Sequence, residues 1–345
     1  MAQPHLNSVH VDAILTNISV AYMQRAENYI ADKVFPVVPV DKKSNKFFKY
    51  TKNDWFRDEA QRRADATESA GSGYSLTTDS YSADVWAFHK DVGDQTLANA
   101  DAPLSPLREA AEFVTNRLLL RREIQFVSDF ITTGVWGTDV TGVSGSPSTG
   151  EVKQWSDFAN SDPLEDVEAG KEAILGATGY EPNTLVLGYQ VFRRLKNHPD
   201  LVDRIKYTSS NVITEDMIAR MFGVDRVLVA KSVKATNKEG AADAMAFNVG
   251  KSALLCHVAP TPGLMTPSAG YIFSWNGVSG GLGQTIGTSQ FRMESIKASR
   301  VEAEVAFDNK VVAADLGYFW SSIVAYCLRS SIVRYCAHSN RVGLC

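Results

Sequence analysis

The chain has 345 residues, 44% hydrophobic and 21% charged, and its 35 basic and 39 acidic side chains leave a formal net charge of −4. This is a globular composition, long enough for two cores and neither disordered nor fibrous. The acidic balance argues against a nucleic-acid reader, whose charge is normally basic, and no apolar run approaches the roughly 20 residues that span a bilayer.

Residues 1–45 read as an arm. "VDAILTNISVAYMQ" is partly amphipathic, and "ADKVFPVVPV" is extended and interrupted by Pro36 and Pro39. Such a segment has little to pack on except another surface. Nothing in "MAQPHLNSVHVDAILTN" has the basic-then-apolar pattern of a signal peptide, so synthesis and retention in a cytosol are expected.

A ribbon is predicted next, over about 46–92. "NKFFKYTKNDWF" and "YSLTTDSYSADVWAF" are aromatic and strand-like. Between them, residues 57–73 read "RDEAQRRADATESAGSG", with seven charges in 17 residues and alanine as the only apolar side chain. That tip cannot bury enough surface to fold alone. A lone two-stranded ribbon is itself marginal in water. A neighbouring molecule would support both, whereas an ordinary surface loop leaves the ribbon without a purpose.

Ser105 and Pro106 signal the cap and first turn of a helix predicted over 106–132. Leu107, Ala111, Val114 and Leu118 share one face; Leu120, Ile124, Val127 and Ile131 continue on a shifted stripe. At 1.5 Å per residue this is a rod of about 40 Å. "TTGVWGTDVTGVSGSPSTG" then reads as a connector. Asp162, Pro163 and Glu165 open a helix near 163–176, with Gly176 and Gly179 as stops. "NTLVLG", "YQVFRRLKNH", "TEDMIARMFG" and "DRVLVA" alternate as an α/β core. In "SRVEAEVAF", Val301, Ala303, Val305 and Phe307 alternate with Arg300, Glu302 and Glu304, the pattern of a half-buried strand. "NKVVAADLGYFW" is its expected partner. The long helix and these late strands form one unit, with the α/β region inserted between them.

Two fragments imitate enzyme motifs. "NVGKS" (Asn248–Ser252) lacks the first glycine of a phosphate loop, since Met245 stands there, so a plain β-turn is expected. "GVSGG" (Gly277–Gly281) has the G-x-S-x-G form with Asp308 and His338 downstream, but a glycine-rich stretch follows Ser279 where a nucleophile elbow needs a helix. The histidines His5, His10, His89, His198, His257 and His338 are scattered, without metal-ligand spacing. Cys256 stands alone, and Cys327, Cys336 and Cys345 are nine residues apart, which suits free thiols better than zinc.

In this order the elements resemble the major capsid protein of tailed bacteriophages, the Hong Kong ninety-seven fold, over about residues 10–324. The stretch "EPNTLVLGYQVFRRLKNHPDLVDRIKY" looks like a characteristic segment of one branch of that family. The resemblance implies an α+β fold. An N-terminal arm (1–45) and an extended β-ribbon loop (46–92) precede a peripheral domain (93–155 and 288–324) that carries the spine helix (106–132). An α/β axial domain (156–287) packs around five-fold and six-fold centres. The tail, 325–345, lies outside the resemblance.

By the same resemblance the chain is a structural subunit and not an enzyme. It self-assembles through pentamers and hexamers into an icosahedral shell around phage double-stranded DNA, and needs no cofactor or metal. Its implied partners are its own copies, a separate scaffold protein, a portal, a decoration protein where one exists, and packaged DNA held without sequence-specific binding; no membrane is involved. The implied location is the virion, after assembly in the host bacterial cytoplasm. The ribbon would clamp an adjacent subunit, with Arg57, Arg62, Arg63 and Glu68 at the contact and Gly71 and Gly73 as hinges. Some relatives carry a large scaffold segment before the arm; here the arm starts almost at Met1, so the expected scaffold is a separate protein or absent. The Lys, Asn and Glu of isopeptide cross-linking have no match here. An encapsulin-like nanocompartment shell is the alternative, and a serine hydrolase a distant one.

Overall fold

The structure, a computed structural model, describes residues 23–100, 104–205, 213–263, 265–278 and 286–325. Strand β1 (Val37–Val40) precedes β2 (Ser44–Tyr50), the short helix α1 (Lys52–Trp55) and β3 (Leu76–Ser82). Then come β4 (Asp84–Gly93), α2 (Asp94–Ala98), α3 (Pro106–Phe130), β5 (Thr138–Val143), β6 (Glu151–Lys153) and α4 (Pro163–Thr178). β7 (Thr184–Gly188), α5 (Tyr189–Leu195), α6 (Pro199–Ile205), α7 (Glu215–Phe222) and β8 (Arg226–Ala230) follow. The remaining strands are β9 (Val233–Ala235), β10 (Met245–Phe247), β11 (Ala253–Cys256), β12 (Gly270–Trp275), β13 (Gly287–Met293), β14 (Ala298–Val311) and β15 (Gly317–Ser321).

β14 is the splint of a five-stranded sheet. Along one edge it pairs antiparallel with β4, from Ala298 opposite Gly93 to Phe307 opposite Asp84. Along the other, β13 and β12 lie end to end, Met293 opposite Ala298 and Gly270 opposite Val311. β1 adds to β12 in parallel. The alternation read in the sequence is present: Val301, Ala303, Val305 and Phe307 are buried, while Arg300, Glu302 and Glu304 are not. Helix α3 packs on this sheet, against β4 and β14.

A six-stranded sheet, in the order β6-β5-β15-β11-β7-β8, forms the second layer system. Every residue of β7 is buried, as expected of an apolar run covered on both faces. Helix α4 lies against it, close enough that a Cβ on Gly170 would meet the Trp320 ring at 3.0 Å. Asp162 caps α4 as expected, accepting from the amides of Leu164 (3.1 Å) and Glu165 (3.2 Å). The helix runs two residues past the expected end, to Thr178, and stops at Gly179, whose φ of +74° is open to glycine.

Four expectations are corrected. "NKVVAADLGYFW" is not one partner strand: Asn309–Val311 finish β14, and Gly317–Ser321 cross to the six-stranded sheet, where an almost fully buried Gly-Tyr-Phe-Trp run suits an interior position. The expected connector contains β5, paired in parallel with β15. Gly142 is required there because a Cβ would come within 2.5 Å of Ile323 Cα. On α3 the buried stripe is Ala110, Val114, Leu118, Arg122, Phe126 and Phe130, every fourth residue, with Glu123 beside it. Leu120, Ile124 and Val127 are only half-buried, and the Ser105 side chain caps nothing. Finally, Tyr29, Ile30, Ala31, Val34, Phe35 and Val37 are buried in the subunit's own core, so this part of the arm packs on its own chain. Phe35 sits among Phe126, Phe130 and Trp136, its ring centroid 4.6 Å from that of Phe130.

A buried carboxylate fixes that segment. Glu123 is fully buried; its Oε2 accepts from the amides of Ile30 (3.0 Å) and Ala31 (2.9 Å), and its Oε1 from Ser232 Oγ (2.9 Å). Burial pushes its pKa up, against the pull of these hydrogen bonds. Arg226 finishes the attachment by donating to the carbonyls of Lys33 (3.0 Å) and Val34 (2.9 Å).

Candidate inter-subunit surface

The ribbon is the pair β2–β3, Ser44 opposite Ser82 through Tyr50 opposite Leu76; β4, which follows, belongs to the five-stranded sheet. Its base is fixed. Tyr81 stacks on Phe273 of β12, ring centroids 4.6 Å apart and planes 9° from parallel, and Phe47 meets the same ring at 5.3 Å. At the corner between β3 and β4, the Ser82 amide donates to Asp308 Oδ2 (2.8 Å).

The far end carries apolar side chains that the subunit does not cover. Tyr50, Trp55 and Tyr74 form a small cluster with centroids 5.6–6.2 Å apart, yet Trp55 and Tyr74 are more than half exposed. Phe48 and Phe56 are similarly open. Asp54 Oδ2 accepts from the Ser75 amide (2.7 Å) and closes the loop that begins at α1. Two light contacts hold this end to the body: Lys52 Nζ to Asp315 Oδ2 (2.5 Å), and the Phe56 ring beside Gly179. Between ribbon and body lies a hollow of about 960 Å³, lined by Phe47, Phe48, Trp55, Tyr180, Met265 and Phe273 among others. The hollow opens to the surface, so the distal half of the ribbon is not packed on the body, although its base is.

Every residue from Arg57 to Gly73 is exposed. Arg57 lies near Asp54 (4.0 Å) and Glu59 (3.8 Å), and Arg63 Nε donates to the Thr67 carbonyl (2.5 Å) across a turn that places Ala66 at φ 59°. Among the described residues, Arg62 and Glu68 make no ion pair. A Cβ on Gly71 or Gly73 would meet nothing within 4 Å, and neither glycine has a left-handed φ, so the residue with unusual backbone here is Ala66. Sequence reasoning did not single out Lys52, Phe56 or Trp55. Their signal was available in "TKNDWF", three large or charged side chains without the alternation of a covered strand.

The enzyme-like fragments have structural explanations where they are described. The Asn248–Ser252 turn packs on the end of β7: the Gly188 amide donates to the Ser252 carbonyl (3.1 Å), and a Cβ on Gly188 would lie 2.1 Å from the Gly250 oxygen. Ser279, His338, His5 and His10 lie outside the described residues, as do Cys327, Cys336, Cys345 and the segment 1–22. Asp308 is engaged with the ribbon corner. His198 is buried, its Nε2 3.1 Å from Ser161 Oγ, and burial lowers its pKa. Cys256 is a free, fully buried thiol whose pKa burial pushes up to about 12, which makes it unreactive. Among the described residues no group of histidines, cysteines and carboxylates is arranged to hold a metal, and no helix is long and apolar enough to cross a membrane.

No family model matches the chain. It is 28% identical over 330 residues to the major capsid protein of Burkholderia phage BcepMu, covering 91% of this chain and 96% of that protein. To the major capsid protein of Pseudomonas phage JBD67 it is 28% identical over 192 residues, covering 56% and 58% of the two chains. A phage-related protein from Bordetella bronchiseptica superposes with a TM-score of 0.64 at 25% identity, over 87% of this chain and 94% of that one. The capsid of cyanophage P-SCSP1u gives a TM-score of 0.59 at 10% identity over 91% and 93%. The SrpI encapsulin of Synechococcus elongatus gives 0.55 at 12% over 94% and 96%. At those identities the last two speak to the fold alone.

Proposed function

We infer that this chain, a major capsid protein of the tailed-phage type, assembles through pentamers and hexamers into the icosahedral shell of a virion and encloses double-stranded DNA. The observation that carries the reading is the near end-to-end correspondence with the BcepMu capsid protein, in sequence over 91% of the chain, with a fold that also superposes on phage capsids along most of its length. Within this reading, the residues before Ser44 serve as the N-terminal arm and the β2–β3 ribbon with its tip, 44–82, as the extended loop, while β4 belongs to the body. The five-stranded sheet with α3 as its spine serves as the peripheral domain and the six-stranded sheet with α4 as the axial domain, so β5, β6 and β15, expected in the first, fall in the second, and β12, expected in the second, falls in the first. The chain acts without catalysis or cofactor. It takes a separate scaffold and a portal as partners, and assembles in the host cytoplasm.

The ribbon is the clamp. Its distal aromatic side chains are open, a hollow lies between it and the body, and its tip offers Arg57, Arg62, Arg63 and Glu68 to a neighbour with Gly71 and Gly73 as pivots. Arginine forks held against a neighbour's carboxylates give oriented, bidentate contacts that the isolated tip does not make. Electron microscopy of the chain co-expressed with adjacent phage genes tests the reading: closed shells or capsomers are expected, and a chain that stays monomeric in that setting overturns it. The encapsulin likeness favours one other reading, a protein-filled nanocompartment. The contents of the shell, nucleic acid or protein cargo, separate the two.

A further inference from the structure

The capsid reading places DNA inside the shell without saying which face of the subunit meets it. One group of side chains serves nothing described above. Phe113 on α3 has two cations on its ring: the Arg117 guanidinium, one turn on, at 5.1 Å from the centroid, and the Lys90 ammonium of β4 at 5.4 Å. A turn further, Arg121 lies 4.0 Å from the ring centroid of Trp86, also on β4. Among the described residues none of the three has a carboxylate within ion-pair distance. Arg121 donates instead to Gln125 Oε1 (2.8 Å), and its Nε has no partner.

Several neighbouring arginines are paired, Arg108 with Glu112, Arg292 with Asp94 and Arg300 with Asp91, whereas these three cations are gathered on aromatic rings instead. Three cations drawn together without an acid repel one another unless an anion completes the group. The rings beneath hold the cations in place, which reduces the side-chain entropy lost on contact with a ligand. The charge is also one-sided. Lys90 stands opposite Val301, a residue buried in the core, and so shares the α3 side of the sheet. The next register position, His89 opposite Glu302, faces the other way, as do Asp91, Arg300 and Glu304. On the α3 side the three cations lie in a row that has Glu109 at one end and Asp129 at the other, Asp129 reached from Arg121 through Gln125, while on the far side Asp91 is paired with Arg300 and Glu302 and Glu304 make no ion pair among the described residues.

We propose that the Lys90–Arg117–Arg121 ladder contacts the phosphate backbone of the packaged double-stranded DNA, so that the α3 side of the five-stranded sheet faces the interior of the shell. The contact is sequence-blind, since three point cations on one ridge meet phosphates and not base edges. This rests on the capsid reading.

The test measures binding of the unassembled full-length chain to a short fluorescein-labelled duplex of random sequence, by anisotropy, between about 50 and about 200 mM salt. Each phosphate contact contributes roughly 0.9 to the slope of log affinity against log salt, so Lys90→Gln with Arg117→Gln should flatten it by about 1.8. The charge-keeping pair Lys90→Arg with Arg117→Lys should leave the slope as it is. A control of equal charge on other elements, Arg193→Gln with Lys238→Gln, should also leave it. An unchanged slope in the glutamine pair, an equal change in the control, or no binding by the unaltered chain overturns the proposal. Shells are scored separately by electron microscopy. If the glutamine pair abolishes shells and leaves the slope unchanged, the ladder meets a neighbour's carboxylates, and the capsid reading stands without the proposal. If the unaltered chain, co-expressed with the adjacent phage genes, forms neither capsomers nor shells, the capsid reading itself fails, whatever the slope.

Discussion

Replacing Glu123 by alanine removes the acceptor of three buried donors at once: the amides of Ile30 and Ala31 and the hydroxyl of Ser232. A buried donor left unpaired costs about 1–3 kcal/mol. Part of that loss is offset, because burial already disfavours the ionised carboxylate, as the raised pKa records. A net loss of roughly 3–5 kcal/mol is expected, in the range for breaking one member of a buried polar network. For a chain of 345 residues that lowers Tm by about 4–7 °C. Glu123→Gln separates geometry from charge. Its one carbonyl oxygen still accepts from both amides, and its NH2 faces the Ser232 hydroxyl, which turns to accept. That variant should stay within about 1 kcal/mol of the parent. Urea and thermal unfolding of both variants, with hydrogen exchange at the Ile30 and Ala31 amides, provide the measurement. The reasoning fails if glutamine costs as much as alanine, or if alanine costs nothing.

Asp166, whose pKa burial raises to about 6, donates nothing but accepts from Trp155 Nε1 at 2.7 Å. A carboxyl raised above its unfolded value stabilises most at the acidic end, and that contribution is lost as pH rises through about 6. Asp166→Asn should therefore gain on the parent between pH 4.5 and pH 7 by on the order of 1–2 kcal/mol after solvent screening; a Tm difference that is flat with pH contradicts this. Gly188→Ala should destabilise by several kcal/mol, since the new Cβ meets backbone 2.1 Å away, and should show as lost soluble expression or a much lower Tm. Arg62→Ala with Arg63→Ala should leave the subunit's own Tm nearly unchanged, as both side chains are exposed, yet lower shell yield; equal shell yields would remove the clamp role of the tip. Deleting residues through Phe35 should unfold the subunit, because Ile30, Val34 and Phe35 belong to its core, and circular dichroism reads this directly.

Much of the architecture was legible because local signals agreed with it. Pro106 set the start of α3, Asp162 that of α4, and the two-residue period of "SRVEAEVAF" gave a strand with one buried face. The failures share a cause: long-range partners outweighed local pattern. A stripe drawn from apolar residues alone leaves out Arg122 and Glu123, yet they sit in the core, where Ile30, Ala31 and Ser232 reach Glu123, so that stripe falls too far round the helix. The Pro-punctuated "ADKVFPVVPV" looked unattached because its support, Phe126, Phe130 and β12, lies far along the chain. "TTGVWGTDVTG" looked like a linker because Gly142, which lets β5 pass Ile323, is a turn former elsewhere. The ribbon was visible from its aromatic arms, but the hollow beneath it depends on Tyr180 and Met265, about which the ribbon's own sequence says nothing.

The chain passes between its two sheets three times: from Phe130 to Thr138, from Cys256 to Gly270 and from Val311 to Gly317. These passages are tied to one another, Gly137 N to the Ala314 carbonyl (2.9 Å), His257 N to that of Leu316 (3.0 Å), and Val312 N to that of Ala269 (3.0 Å). Three braced struts resist twist in a way that a single hinge does not. A torque applied at the ribbon base, where Tyr81 stacks on Phe273, is delivered to the whole body and is not absorbed between the sheets. When such subunits close a curved surface, the body turns as a rigid tile. Differences in curvature from one position to the next are then accommodated in the segments outside these struts, the ribbon first among them.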